Sequence, residues 1–200
     1  PEEYGYYSLA FVSFNYLSIG LFSWLSNCIW RFYHNYKKNE KFDSFKSYIG
    51  FFYLISVLII SIVTIFLIFF SDNKPLRLLF LLAGFQIIFA QANAMILIVY
   101  RIQGKALAYN LINGIKTSLS FLVLCFLTFI LKQRIESLFT SLILIDFSFI
   151  IFFSIIHRKK IFTGLNFKQI KLNEARQFIT YGFASLVINL LLIVMDSNDR

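Results

Sequence analysis

Charge is what this sequence has least of. Only 14% of its 200 residues are Asp, Glu, Lys or Arg, where an average soluble domain has about 25%. Twenty-nine charged side chains could not cover the apolar surface of a soluble domain this size, which excludes a soluble enzyme and a disordered tail together. Cysteine is equally scarce. Cys28 and Cys125 both lie inside hydrophobic runs without a CxxC partner, so neither a disulfide framework nor a zinc site is indicated. They read as lipid- or core-facing hydrophobes. The two histidines, His34 and His157, fall in separate basic stretches and read as interfacial loop residues rather than ligands. Gly104-Lys105 lacks the upstream glycine and the following Ser or Thr of a phosphate-binding loop. Acidic pairs are missing from the candidate outward loops, and Glu2-Glu3 is better placed to favour a helix amino end. No covalent, acid–base or metal chemistry is therefore expected, and no cofactor.

What fills the sequence instead is apolar. Hydrophobic residues make up 58% of it, and phenylalanine alone takes 26 positions. A spanning helix needs about 20 largely apolar residues, and reading between charges gives six candidates, at 4–30, 47–71, 78–100, 106–131, 137–156 and 177–195. The runs are continuous rather than alternating, which argues for helices and against barrel strands. The expected fold class is all-α, a polytopic transmembrane helix bundle. Two connections look long, 31–46 and 157–176. The second mixes apolar residues with lysines and reads either as an amphipathic segment on the membrane surface or as a solvated basic loop.

Basic residues fix the expected orientation. Arg31, Lys37, Lys38, Lys41, Lys46, Arg101, Lys105, Lys116, Arg158, Lys159, Lys160, Lys168, Lys171 and Arg176 fall at alternate ends of the spans; Lys74, Arg77, Lys132, Arg134 and Arg200 fall at the others. Fourteen against five is a positive-inside bias that places the first group in the cytoplasm and residues 1–4 outside. The net charge of +9 is this bias rather than the footprint of a nucleic acid, so the expected partner is the lipid bilayer and no nucleic acid. The chain opens at Pro1 without a methionine and stops after a hydrophobic run, and it reads as an internal piece of a longer polypeptide.

Polar groups inside spans usually face a protein interior or a water-filled cavity. At 100° per residue, Asn15, Ser18 and Ser26 share a face of the first span. Gln86 and Asn93 stand two turns apart on the third. Asn110, Asn113, Lys116, Thr117, Ser120 and Thr128 gather on one face of the fourth. Gln177, Tyr181, Ser185 and Asn189 follow at i, i+4 on the last, and Asp196 continues them. Any one Ser or Thr reads as glue between helices; stripes on four of six spans read as the lining of a hydrophilic cavity. Two charges lie in the membrane. Lys116 and Asp146 are each about ten residues from the cytoplasmic end of neighbouring spans, hence about 15 Å deep, where they are expected to pair.

Several segments together resemble a known family. Pro1-Glu2-Glu3-Tyr4-Gly5-Tyr6-Tyr7 is similar to the Pro-Glu-x-Tyr-Gly-x-Tyr run that opens helix two of the polysaccharide biosynthesis, or O-antigen, flippases of the MOP superfamily. Phe178-Ile179-Thr180-Tyr181-Gly182-Phe183 resembles that group's entry to helix seven, with Ala184 near the position where the family often has proline. Asp199-Arg200 looks like the pair that closes the same helix. The resemblance implies a MOP/MATE-like bundle in which 1–156 supplies five helices of the N-terminal lobe. In the same scheme 157–176 links the lobes and 177–200 begins the C-terminal lobe, which makes the chain helices two to seven of twelve to fourteen. It implies a multi-pass protein of a bacterial or archaeal inner (plasma) membrane, working by alternating access on an undecaprenyl-pyrophosphate-linked oligosaccharide. Polysaccharide polymerase and chain-length machinery are the implied partners. Arg31, Arg101 and Lys116 become candidates for attracting pyrophosphate. Asn15, Gln86, Asn93, Asn113, Asp146, Asn189, Asp199 and Arg200 complete the candidate cavity. The competing readings are a cation-coupled multidrug antiporter of the same superfamily, with Asp146 as the coupling carboxylate, and a membrane-embedded polysaccharide polymerase. The short outward connections at 72–77 and 132–136 weigh against the polymerase.

Overall fold

The structure is a computed structural model, and it describes residues 2–132, 135–156 and 170–198, the side chains at 2, 3, 190 and 192–198 excepted. Every regular element among them is helical. In chain order they are α1 (Glu2–Ser18), a single π-helical turn (Ile19–Ser23), α2 (Trp24–Lys38), α3 (Phe42–Phe70), α4 (Lys74–Ile102), α5 (Ala106–Phe129), α6 (Glu136–Ile156) and α7 (Leu172–Asn198). Five stretches are long and apolar enough to cross a membrane: Tyr4–Lys38, Phe42–Phe70, Lys74–Ile102, Ala106–Phe129 and Glu136–Ile156. That is the build of a multi-pass membrane protein. β-branched residues are frequent in α3, yet it is helical throughout, because in hydrocarbon a helix satisfies its backbone groups internally. The sixth expected span, 177–195, lies within α7.

The helices overrun the charge-free stretches that announce them. The connection expected at 31–46 is in fact only residues 39–41, and His34, expected in a loop, is on α2. Charge marks where a helix leaves hydrocarbon, not where it ends. The last two turns of α2 continue because Tyr33 and Tyr36 are buried on the same side as Cys28 and Ile29. The chain then reverses at Glu40, which takes the left-handed conformation (φ 58°), while the Lys41 amide donates to the Tyr36 carbonyl (3.0 Å). Gly104 does the same after α4 (φ 74°), with the Lys105 amide donating to Tyr100 O (3.1 Å). Pro75, in the first turn of α4, suits a position whose missing N–H has no helical acceptor. The connecting segment at 157–169 lies outside the described residues, and residues 172–176, expected in the linker, belong to α7.

The chain separates into two compact units: Pro1–Asn15 with Ile59–Ile156, and Tyr16–Leu58 with His157–Arg200. In the first, α4 packs most extensively on α6, and α5 lies against both. Gly84 lets α3 approach α4: a Cβ there would lie 2.6 Å from Thr64 Oγ1. Ring contacts join Tyr7 to Phe139 (5.1 Å between centroids) and Phe14 to Phe80 (6.1 Å). In the second, Phe178 of α7 is fully buried among Phe32, Tyr36, Phe45, Tyr48 and Phe52, with centroids 4.6–6.3 Å away. Gly182 completes that seam, since a Cβ there would collide with the Trp24 ring.

Candidate functional site

The first unit brings its intramembrane polar groups to one point. Asp146 sits in mid-α6 and its side chain is 1% exposed. Lys116 Nζ, from α5, forms an ion pair with Asp146 Oδ1. Asn93, equally buried on α4, donates its Nδ2 to the same Oδ1 (2.8 Å) and to the Asp146 carbonyl (2.9 Å). Three helices thus meet on one carboxylate. The pairing of Lys116 with Asp146 follows from their equal depth on antiparallel neighbours, as the sequence implies. The contribution of Asn93 does not follow from sequence, where it reads only as a stripe companion of Gln86. A buried charge is tolerable only when paired and hydrogen-bonded, and here the ammonium and the amide supply both. The carbonyl Oδ1 of Asn93 is buried and meets no donor among the described residues.

α5 leaves much of its surface open. Asn110, Asn113 and Thr117 are exposed at i, i+3 and i+7, adjoining the turn from which Lys116 reaches Asp146. Thr117 Oγ1 donates back to the Asn113 carbonyl (3.0 Å). Thr128, at the far end of the same face, is exposed and bonds Ser137 of α6 (3.2 Å). Among the remaining candidates of this unit, Asn15 is exposed, Gln86 is half-buried, and Arg101 is exposed with its guanidinium 5.8 Å above the Tyr109 ring.

The second unit places its polar residues in rungs. Asn189 Nδ2 of α7 donates to Ser23 Oγ (3.0 Å), Asn27 Nδ2 of α2 donates to Ser185 Oγ, and the Arg31 guanidinium lies 5.9 Å over the Tyr181 ring. Both helices step by four residues from rung to rung, in opposite directions, as antiparallel partners must. Arg31 and Asn189 are candidates from sequence; Ser23 and Asn27 are not. The signal is the π turn. It adds about one residue to a turn, so positions beyond it are rotated by about 100° from those of a uniform helix. A face drawn through Asn15, Ser18 and Ser26 at constant pitch therefore misses Ser23 and Asn27. The turn's own backbone is held by hydroxyls: Ser23 Oγ donates to Ile19 O (2.5 Å), and Ser56 Oγ of α3 donates to Leu21 O (2.9 Å). Cys28 is buried beside the Phe178 carbonyl (Sγ to O 3.6 Å). Asp199 and Arg200 lie outside the described residues.

Among the described residues, no three or more His, Cys, Asp or Glu side chains converge as a metal-ligand set. Comparison with protein-family models, with curated proteins and with solved structures finds no match.

Proposed function

We propose that the protein is a membrane transporter that moves an undecaprenyl-pyrophosphate-linked oligosaccharide from the inner to the outer leaflet by alternating access, making and breaking no covalent bond. The observation that supports this most directly is the exposed amide and hydroxyl stripe of α5, Asn110, Asn113 and Thr117, beside a buried ion pair in a helix of membrane length. Amides left open in hydrocarbon are costly, and a water-filled cavity removes that cost. Asn and Gln both donate and accept, which suits many modest hydrogen bonds to sugar hydroxyls. The flippase resemblance at 1–7 and 178–183 supports the same cargo. In this reading cationic side chains attract the pyrophosphate, and the protein acts in the plasma membrane of a bacterium or archaeon beside a polysaccharide polymerase.

One observation favours a second reading. A carboxylate as buried as Asp146 is what a cation-coupled drug antiporter of the same superfamily needs for coupling. Deleting the gene separates the two. Loss of surface polysaccharide, with lipid-linked units accumulating on the cytoplasmic face, supports the flippase. Unchanged surface glycan with heightened sensitivity to cationic drugs supports the antiporter. Units that reach the outer face but stay unpolymerised would point to a polymerase instead.

A further inference from the structure

The seam between α2 and α7 is built from two unlike halves. Toward the amino end of α7, Phe178 sits in its cage of five rings, two from α2 and three from α3, the Lys171 amide donates to Tyr48 Oη of α3 (2.8 Å), and Tyr36 Oη of α2 donates to the Glu174 carboxylate (3.2 Å). Toward its middle, past Gly182, the same two helices meet through the uncharged rungs Asn27–Ser185 and Ser23–Asn189. Uncharged hydrogen bonds between membrane helices are worth about 0.6 kcal/mol on average, whereas a buried Phe in an aromatic cage is worth several times that.

The weak half also borders the π turn. A π turn within an α-helix is a common feature of functional sites and a frequent cause of kinks. Here its carbonyls at Ile19 and Leu21 are taken by Ser23 and Ser56 hydroxyls, and Ser23 is also the acceptor for Asn189. One hydroxyl therefore joins the state of the π turn to the contact with α7. Gly20, inside the turn, has nothing within 4 Å of where a Cβ would stand, so it is not kept small by packing.

We infer that α7 parts from α2 at the two Asn–Ser rungs while remaining fastened at Phe178, with the π turn as the flexing element on the α2 side. The rungs are a zipper: breaking Ser23–Asn189 leaves the Ser23 hydroxyl its bond to Ile19 O but removes the tie to α7, so the π turn flexes without α7. Under the transporter reading, on which this role in gating rests, the freed amides and hydroxyls of Asn27, Ser185 and Asn189 are re-satisfied by hydroxyls of the cargo.

Spin labels on cysteines at Tyr16 and Leu191, both exposed, read the weak half; labels at His34 and Asn173, also exposed, read the fastened half. The full-length protein, with Cys28→Ala and Cys125→Ala as the common background, is measured in nanodiscs by pulsed dipolar spectroscopy. Two distance populations are expected for the first pair and one for the second. Asn27→Ala and Asn189→Ala should each raise the longer population about threefold, following from the worth of one rung. A single distance for the Tyr16/Leu191 pair that neither substitution alters would overturn the inference, as would equal spreading of both pairs. Because this readout needs no cargo, it stands apart from the transport reading. Two populations in a protein whose deletion leaves surface glycan intact would keep the zipper and discard the flippase.

Discussion

The two units solve one problem, holding helices together where lipid is as apolar as the side chains, by opposite means. The first concentrates charge: Lys116 and Asn93 converge on the buried carboxylate of Asp146 and tie α5 and α4 to α6. The second concentrates rings, with Phe178 of α7 caged by residues of α2 and α3, and adds the uncharged contacts Asn27–Ser185 and Ser23–Asn189 along α7. In a charge cluster, removing either ionised member strands the other. A ring cluster with neutral rungs can be loosened in parts. The first unit therefore has the build of a fixed scaffold, and the second that of a seam with a separable edge.

The largest effect should come from breaking the ion pair. Lys116→Ala or Asp146→Ala alone leaves one buried charge uncompensated, a loss of about 3–5 kcal/mol. It would be read as loss of folded protein in the membrane or as a lower unfolding midpoint in nanodiscs. The double alanine or the charge swap should recover part of that loss. Strictly additive single and double effects would show that the two residues are uncoupled and would erase the contrast between the units. Phe178→Ala should cost a comparable amount, about 3–5 kcal/mol for an emptied aromatic site. Unlike the charge variants, it should be substantially rescued by Phe178→Leu, since its role is volume. Failure of leucine to rescue would mean that ring geometry matters there as much as charge geometry does at Asp146.

Much of this was legible in the sequence, and the misses have physical causes. The long helices announce themselves as apolar runs with at most one charge, and Lys116 and Asp146 announce their pairing by equal depth. Asn93 was visible as a polar residue, but its role was not, because joining Asp146 depends on how α4 crosses α6 and no period encodes that. The reach of α2 to Lys38 is hidden because the charge of Arg31 marks where the helix leaves hydrocarbon, not where it ends. The spacing of Ile29, Tyr33 and Tyr36 is the helical signal that would have found it. Ser23 and Asn27 fall off the face that constant pitch draws through Asn15, Ser18 and Ser26, and the π turn at Ile19–Ser23 breaks that pitch. The polar face of α5 is legible as a stripe, and Asn110, Asn113, Thr117 and Thr128 are all exposed on it, Thr128 with its hydroxyl bonded to Ser137.

Glycines sharpen the comparison at the next level. Gly182→Ala drives a methyl into the Trp24 ring, and Gly84→Ala drives one toward the Thr64 hydroxyl, itself committed to Ile60 O (2.7 Å). Overpacking of this kind costs about 1–3 kcal/mol. Thr64→Ala removes the obstacle in the first unit, so it should relieve most of the Gly84→Ala loss. A smaller ring, Trp24→Phe, should relieve only part of the Gly182→Ala loss, because the contact there is with a rigid face. Both pairs are read as unfolding midpoints in nanodiscs. Full relief in both would mean that the α2–α7 seam yields as readily as the α3–α4 one.

The smallest effect isolates the polar contacts themselves. Asn93 and Asn189 are the same residue type donating through the same nitrogen at similar distances, 2.8 Å to a carboxylate and 3.0 Å to a hydroxyl. Asn93 is buried and its acceptor is ionised, so Asn93→Ala should cost about 1.5–3 kcal/mol, the range for hydrogen bonds to charged groups. Asn189 is half-buried and its acceptor is neutral, so Asn189→Ala should cost only about 0.6 kcal/mol. The ratio matters more than either value, because only a weak second bond lets α7 leave α2 without unfolding the protein. Measured side by side in nanodiscs, losses of equal size would place both amides in the scaffold. A loss at Asn189 several times smaller, accompanied by the longer Tyr16–Leu191 distance, would assign Asn93 to the scaffold and Asn189 to the moving edge.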